Sequence, residues 1–334
     1  MENSSDREIV VVTGSTGGVG RATAHAFARR GAAVALIARG EEALEAVCGE
    51  VRDLGGEPLA VPTDVADDEQ VENAAATVEE RLGEIDVWVN DAMATVFARV
   101  VDTEPREFRR ATEVTYLGTV YGTMAALRRM VPRDRGKIVQ VGSALSYRAI
   151  PLQAAYCGAK FAIRGFTDSI RTELIHDRSA VQLTMVQLPG LNTPQFNWGR
   201  SKLPEHPMPV PPIYQPEVAA EAIYWAAHHR RRELWVGYSS VQAILASKLA
   251  PRLADYYLAM KGFKGQQVEG MPIDGERPGN LFEPLPREAS THGIFDDQAT
   301  ASSPQLWLSE HRALLAGAAA GAAAGAAALA RRLG

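Results

Sequence analysis

The residues best suited to chemistry lie close together, in Val141-Gly142-Ser143 and Tyr156-Cys157-Gly158-Ala159-Lys160. Tyr156 and Lys160 stand at i and i+4, which puts both on one face of a helix. A free tyrosine phenol titrates at about 10. A nearby ammonium favours the phenolate and brings the phenol toward a range where it can exchange a proton with a substrate. Lysine donors also suit sugar hydroxyls. Ser143 ends an apolar run that reads as a strand. In an open α/β sheet that end faces the crevice where ligands bind, so its hydroxyl can hold a carbonyl or alkoxide oxygen. Y-x-x-x-K alone is a common surface pair and acquires meaning only from its context.

That context begins with a glycine-rich turn, Thr13-Gly14-Ser15-Thr16-Gly17-Gly18-Val19-Gly20, between an apolar run and a helical stretch. Glycines let the backbone turn sharply and approach a pyrophosphate, and the helix N-terminus offers free N–H groups. Gly14, Ser15, Thr16, Gly18, Val19 and Gly20 are the candidate contacts. The spacing is G-x-x-x-G-x-G, not the commoner G-x-G-x-x-G dinucleotide fingerprint. No Lys-Ser or Lys-Thr follows, which excludes a P-loop. The second apolar run ends in Leu36-Ile37-Ala38-Arg39-Gly40. A carboxylate at this tip would bind a ribose 2′-hydroxyl and repel a 2′-phosphate. Arg39 instead offers a guanidinium suited to phosphate, so NADP is expected ahead of NAD. The competing reading of Arg39 is a solvated charge before the Glu41 helix.

The elements that must position these residues alternate along the chain. Apolar, β-branched runs at Ile9–Thr13, Ala33–Ala38, Leu59–Val61, Ile85–Val89, Lys137–Val141, Val181–Leu188 and Glu233–Val236 read as buried strands. Stretches of helical period lie between them, at Arg21–Arg30, Glu41–Leu54, Asp67–Leu82, Glu104–Met130, Ala154–Ile175 and Glu217–His229. This pattern predicts an α/β fold, a doubly wound parallel sheet of about seven strands with helices on both faces. Residues 8–260 are read as one nucleotide-binding and catalytic domain. Within it, 194–216 is crowded with proline and carries Trp198, Met208 and Tyr214. It reads as a lid over an apolar pocket, or else as a rigid surface connector. Ser239–Met260 reads as one or two helices interrupted at Pro251.

Residues 261–334 form an extension read as partly disordered. It ends in Ala313–Ala330, almost all Ala, Gly and Leu. That end fits either a helix or tail in water, or a membrane contact built on small residues. The chain has 334 residues, a net charge of −5 and two cysteines. No basic face suggests nucleic acid, and two cysteines fit neither a metal site nor a disulfide framework. Cys157 reads as a buried filler rather than a reactive thiol. The N-terminus lacks the basic start and apolar run of a signal peptide, so a cytoplasmic setting is expected, with membrane association through 313–330 as the alternative.

Taken together in this order and spacing, the motifs resemble the short-chain dehydrogenase/reductase family, in the branch with T-G-x-x-x-G-x-G. The resemblance covers about residues 8–237. In that family the serine precedes the tyrosine by thirteen positions, as Ser143 precedes Tyr156. Asp64-Val65 resembles the pair that contacts adenine. Asn90 and Ala92 resemble parts of N-N-A-G, and Pro189-Gly190 with Thr193 resembles the P-G-x-x-T that touches the nicotinamide amide. Two departures stand out. The N-N-A-G segment reads Asn90-Asp91-Ala92-Met93, so Met93 alters the pocket wall. Thr115 stands where the family has a fourth catalytic residue, an asparagine that supports a proton-relay water.

The resemblance implies hydride transfer between nicotinamide and a carbonyl or alcohol of an apolar small molecule, in a homo-oligomer. Ser143, Tyr156 and Lys160 would be catalytic, and Tyr156 and Lys160 would also contact cofactor. The alternatives are a dinucleotide-sensing protein without catalysis and a membrane-associated lipid-modifying reductase. A sugar-nucleotide epimerase also uses Y-x-x-x-K, but the glycine spacing and the lack of a long mixed α/β C-terminal pattern argue against it.

Overall fold

A computed structural model describes residues 7–273, 279–285 and 290–312. The Ala313–Ala330 segment lies outside the described residues. Seven strands form the central sheet: β1 (Ile9–Thr13), β2 (Ala33–Ala38), β3 (Glu57–Pro62), β4 (Val87–Asn90), β5 (Lys137–Ser143), β6 (Gln182–Leu188) and β7 (Glu233–Trp235). All pairings are parallel, in the order β7-β6-β5-β4-β1-β2-β3. The expected doubly wound sheet is what the chain forms.

Parallel strands need crossovers, and helices supply them. These are α1 (Gly18–Ala28), α2 (Glu41–Asp53), α3 (Asp68–Arg81), α4 (Pro105–Thr112), α5 (Gly118–Met130), α6 (Ala154–His176) and α7 (Pro216–His228). Because side chains alternate along a strand, β1 feeds both faces of the sheet. Val10 and Val12 pack with Phe27 of α1, Val47 of α2 and Ile223 of α7. Ile9 and Val11 pack with Val78 of α3, Met130 of α5 and Ile170 of α6. Helices on both faces explain why the strands read as continuous apolar runs.

The stretch expected as one helix over 104–130 is broken by a π-helical turn at Glu113–Leu117. Such turns concentrate at functional positions. Here the turn carries Thr115 and precedes Gly118, where an added Cβ would lie 2.7 Å from Val65 Cγ2. After β7 come α8 (Tyr238–Leu249) and α9 (Pro251–Lys261), separated at Pro251 as the sequence suggests.

The proline-rich segment is held by short pairings to the loop after β4 and to the extension. Arg200–Ser201 pairs with Val96–Phe97, Glu205–Pro207 with Gln267–Pro272, and Ile213–Tyr214 with Ala299–Thr300. Ser290 bridges to Gly17, inside the glycine turn. The described residues of the extension thus lie beside the glycine turn and the proline-rich segment.

A buried polar cluster fixes the middle of the sheet to α5. Asn90 accepts from Trp88 Nε1 at 2.8 Å and donates to Gln140 Oε1 at 3.0 Å and Thr123 Oγ1 at 3.1 Å. All four residues are buried. Removing one member strands the others without water, which costs about 1–3 kcal/mol per unsatisfied group. Asn90→Ala is therefore expected to lower unfolding stability by about 2–3 kcal/mol in a denaturant titration. A loss below about 0.5 kcal/mol would show that the cluster does not hold the sheet to α5.

Candidate active site

The sheet order reverses its build direction between β1 and β4, and the crevice opens there, at the carboxyl ends of the strands. A cavity of about 630 Å³ occupies it. The glycine turn forms one end. Gly14 adopts φ +72°, and a Cβ there would lie 2.8 Å from Ala92 Cα, so only glycine allows this approach. At Gly20 a Cβ would fall 2.2 Å from the Gly14 carbonyl oxygen. Thr13 Oγ1 accepts the amides of Asp91 and Ala92, each at 3.0 Å, which locks the turn onto the loop after β4.

Most of the expected contacts line the cavity: Gly14, Thr16, Gly18 and Val19 of the turn, with Arg39, Asp64, Val65, Ala92, Pro189, Gly190 and Thr193. Four expected residues do not. Ser15 is fully buried beneath the turn, where its hydroxyl donates to the Ile37 carbonyl. Gly20 lies under Gly14, and Asn90 belongs to the polar cluster below β4. Thr115 exchanges two hydrogen bonds with Ala94, accepting from its amide at 2.9 Å and donating to its carbonyl at 3.0 Å. Its hydroxyl holds the 91–95 loop in place and does not reach the cavity.

Ser143, Tyr156 and Lys160 all face the cavity. Ser143 caps a short turn after β5, its Oγ accepting the Leu145 amide at 3.1 Å. The long helix α6 brings Tyr156 beside it, within hydrogen-bond reach of the Ser143 hydroxyl. Burial pushes the Tyr156 phenol well above the ordinary tyrosine value, and the Ser143 hydrogen bond pulls it back only partly. Lys160 Nζ donates to the Val141 carbonyl at 2.6 Å and sits 5.5 Å from the Tyr156 ring centre. Burial lowers the Lys160 ammonium to about 8, opposed by the charge of Asp91. The phenol of the protein alone thus stays protonated.

Asp91 is the residue that sequence reasoning passed over. It lines the same cavity, and a Cβ on Gly20 would lie 3.0 Å from its Oδ2. Burial raises its carboxyl to about 7, with Lys160 drawing it down. The signal was present as an acid in Asn90-Asp91-Ala92-Met93, where the departure at Met93 drew the reading. Met93 also lines the cavity.

The proline-rich segment forms a cavity wall through Phe196, Trp198, Pro209 and Val210. Trp198 stands over the glycine turn, its ring 2.9 Å from where a Gly17 Cβ would be. Met208 and Tyr214, expected in the pocket, instead pack into the interior: Met208 against the Phe97–Phe196 cluster, Tyr214 against the main core. Cys157 is buried with its thiol raised to about 11 by desolvation, as suits a filler.

Described residues of the extension cross the glycine-turn end. Arg39 donates to the carbonyls of Asn280 and Phe282, and Arg110, paired with Asp64, donates to that of Leu281. Gly18 N–H donates to the Ser290 carbonyl at 2.9 Å. The amides of Val19 and Gly20 have no helical carbonyl four residues back. Thr193 Oγ1 is buried on the cavity wall without a hydrogen-bond partner among the described residues. A glycine cradle that a Cβ would fill, helix amides without an intrahelical partner and a hydroxyl unpaired among the described residues fit a dinucleotide.

Residues 8–202 match the family model for short chain dehydrogenase. The chain belongs to the short-chain dehydrogenase family. It is 33% identical over 285 residues to the uncharacterized oxidoreductase YxnA of Bacillus subtilis (strain 168), covering 85% of this chain and 77% of that one. It is 28% identical to mouse (Mus musculus) estradiol 17-beta-dehydrogenase 11, covering 73% and 80%. With human (Homo sapiens) dehydrogenase/reductase SDR family member 7 the match is 35% and spans half of each chain. An alcohol dehydrogenase from the archaeon Thermococcus sibiricus, solved with 5-hydroxy-NADP, superposes with a TM-score of 0.60 at 29% identity, covering 69% of this chain and 96% of that one. As a family member the chain is an oxidoreductase using a nicotinamide dinucleotide and acting on CH–OH groups.

Asp91 gives this member a pH signature. Its carboxyl holds a proton in the folded state up to about 7, whereas an unfolded aspartate loses it near 3.8. Between those values the folded state binds more protons, so the carboxyl costs stability as pH rises. Asp91→Asn removes that cost and the charge opposing Lys160 deprotonation. Relative to wild type it should gain stability steadily from pH 4 to 7. Parallel stability curves for the two proteins would refute this placement of Asp91.

Proposed function

We propose that the protein is an NADP-dependent reductase or dehydrogenase of an apolar carbonyl or alcohol, with Tyr156 as general acid and base. The observation that carries this reading is that Ser143, Tyr156 and Lys160 line the same cavity as the glycine turn. When bound, the nicotinamide supplies or accepts the hydride. The chain's own residues do the rest. The Ser143 hydroxyl polarises the substrate oxygen. Tyr156 donates its phenolic proton to that oxygen in reduction and takes it back in oxidation. A phenol that burial keeps protonated is suited to the donor role. Lys160, tied to the Val141 carbonyl, lends its charge to the phenolate that results. Thr193 Oγ1 would meet the cofactor amide. Thr115 acts as a positioning residue for the loop carrying Asp91 and Ala92.

Arg39 supports the phosphorylated cofactor. It faces the cavity at the tip of β2, where no acid stands, and the Asn280 and Phe282 carbonyls hold its planar fork in position. Of the solved structures it resembles, two hold NADP or a derivative of it. Val210, Leu258 and other apolar side chains line the cavity, which suits an apolar substrate.

A panel of ketones, aldehydes and alcohols followed by NADPH and NADH absorbance tests this reading. NADPH-dependent turnover is expected. Arg39→Asp should reverse the cofactor preference, shifting the ratio of kcat/KM values for NADPH and NADH by about tenfold or more toward NADH. An unchanged ratio would remove Arg39 from cofactor recognition, and no turnover with either cofactor would remove the reading itself.

A further inference from the structure

Helices α8 and α9 stand outside the packing of the sheet. Among the residues of α8 only Ser240 and Ile244 are buried, and α9 buries none of its 11 residues. A helix this short is marginal in water unless a face is covered. The pair is fastened to the core mainly by its edges. Ser247 Oγ donates to the Tyr147 carbonyl at 2.9 Å, Arg148 pairs with Asp255, and Gly262 sits against Pro151.

What α9 turns outward is apolar. Leu253, Tyr256, Tyr257 and Met260 fall at i, i+3, i+4 and i+7, a single helical stripe. They are 71%, 60%, 61% and 71% exposed. Leu249, 82% exposed, and Leu245 continue the surface on α8. Isolated apolar side chains on a surface are ordinary, but a contiguous patch marks an interaction site. Lys248, Arg252, Lys261 and Lys264 flank the stripe, all exposed. The one acid between residues 238 and 264, Asp255, is paired with Arg148. In a chain of net charge −5 this segment is cationic. The opposite sides of the same helices line the cavity, through Ala243 and Ala246 of α8 and Ala254 and Leu258 of α9. Tyr257 belongs to both surfaces.

We propose that this stripe docks the protein on a lipid surface bearing anionic headgroups, so that the cavity lined by α8 and α9 lies next to the lipid. Leucine, methionine and tyrosine side chains enter the interface while the flanking cations meet the headgroups, as in other interfacial helices. The charge pattern favours lipid over a second copy of the chain. A twofold contact would set the same cationic rim against itself. An apolar substrate dissolved in the lipid would then reach the cavity without crossing water.

Co-sedimentation of the full-length protein with vesicles tests this, and it requires no turnover, so its outcome is separate from that of the oxidoreductase reading. Wild type should bind vesicles of phosphatidylglycerol and phosphatidylcholine, bind pure phosphatidylcholine weakly, and release with added salt. Two double variants probe the stripe and its rim, Leu249→Glu with Leu253→Glu and Arg252→Glu with Lys261→Glu. None of these residues lines the cavity, so NADPH binding should persist and report folding. Each should weaken partition on the order of tenfold or more. Both variants carry the intact 313–334 segment, so the difference belongs to the stripe. The proposal is overturned if wild type binds neither vesicle or if the variants bind as wild type does. It is also overturned if the variants change the oligomeric state while vesicle binding stays the same, which would assign the face to self-association. If the leucine pair loses NADPH binding, the charge-reversal pair decides.

Discussion

The site depends on one constraint, the contact of two backbones at the point where the sheet divides. Gly14 can approach Ala92 to this distance only without a side chain, and the Thr13 hydroxyl fastens the two segments by taking both the Asp91 and Ala92 amides. Closing this point does two things at once. It aims the N-terminus of α1 into the crevice, where free amides and the helix dipole favour phosphate. It also places Asp91 on the same cavity as Lys160, which links the cofactor end of the site to the catalytic end.

Electrostatics at the catalytic end follows from desolvation more than from attraction. The sequence suggests that an ammonium one turn away lowers the tyrosine phenol. In the folded chain burial dominates all three groups. It raises Tyr156 and Asp91 and lowers Lys160. Each group is therefore shifted toward its neutral form, which a dry cavity favours. The Tyr156 phenol is thus kept protonated, and the charge of Asp91 supports the Lys160 ammonium.

Much of this was legible in the residues themselves. The seven strands are short apolar runs whose burial on both faces leaves a continuous pattern, and the glycine turn and Y-x-x-x-K pair are local in sequence. The parts that were not legible depend on distant partners. Nothing near Arg39 announces that the Asn280 and Phe282 carbonyls will hold it, or near Gly18 that Ser290 will take its amide. The pairings of Glu205–Pro207 and Ile213–Tyr214 with the extension are two or three residues long, too short to show a period. Apolar character placed Met208 and Tyr214 in a pocket, although the same character serves an interior as well. The π-helical turn at Thr115 keeps the side-chain pattern of a helix, so it too was hidden.

The central claim is that Tyr156 carries the proton while the rest of the site holds cofactor and substrate. Its most direct test is Tyr156→Phe, which removes one oxygen and leaves the ring. NADPH binding, read by fluorescence titration, should stay within about threefold of wild type. Turnover of the best carbonyl substrate should fall by about 10²–10⁴-fold, the usual contribution of a positioned acid. A variant that turns over at a rate close to wild type, with cofactor bound, would contradict the account.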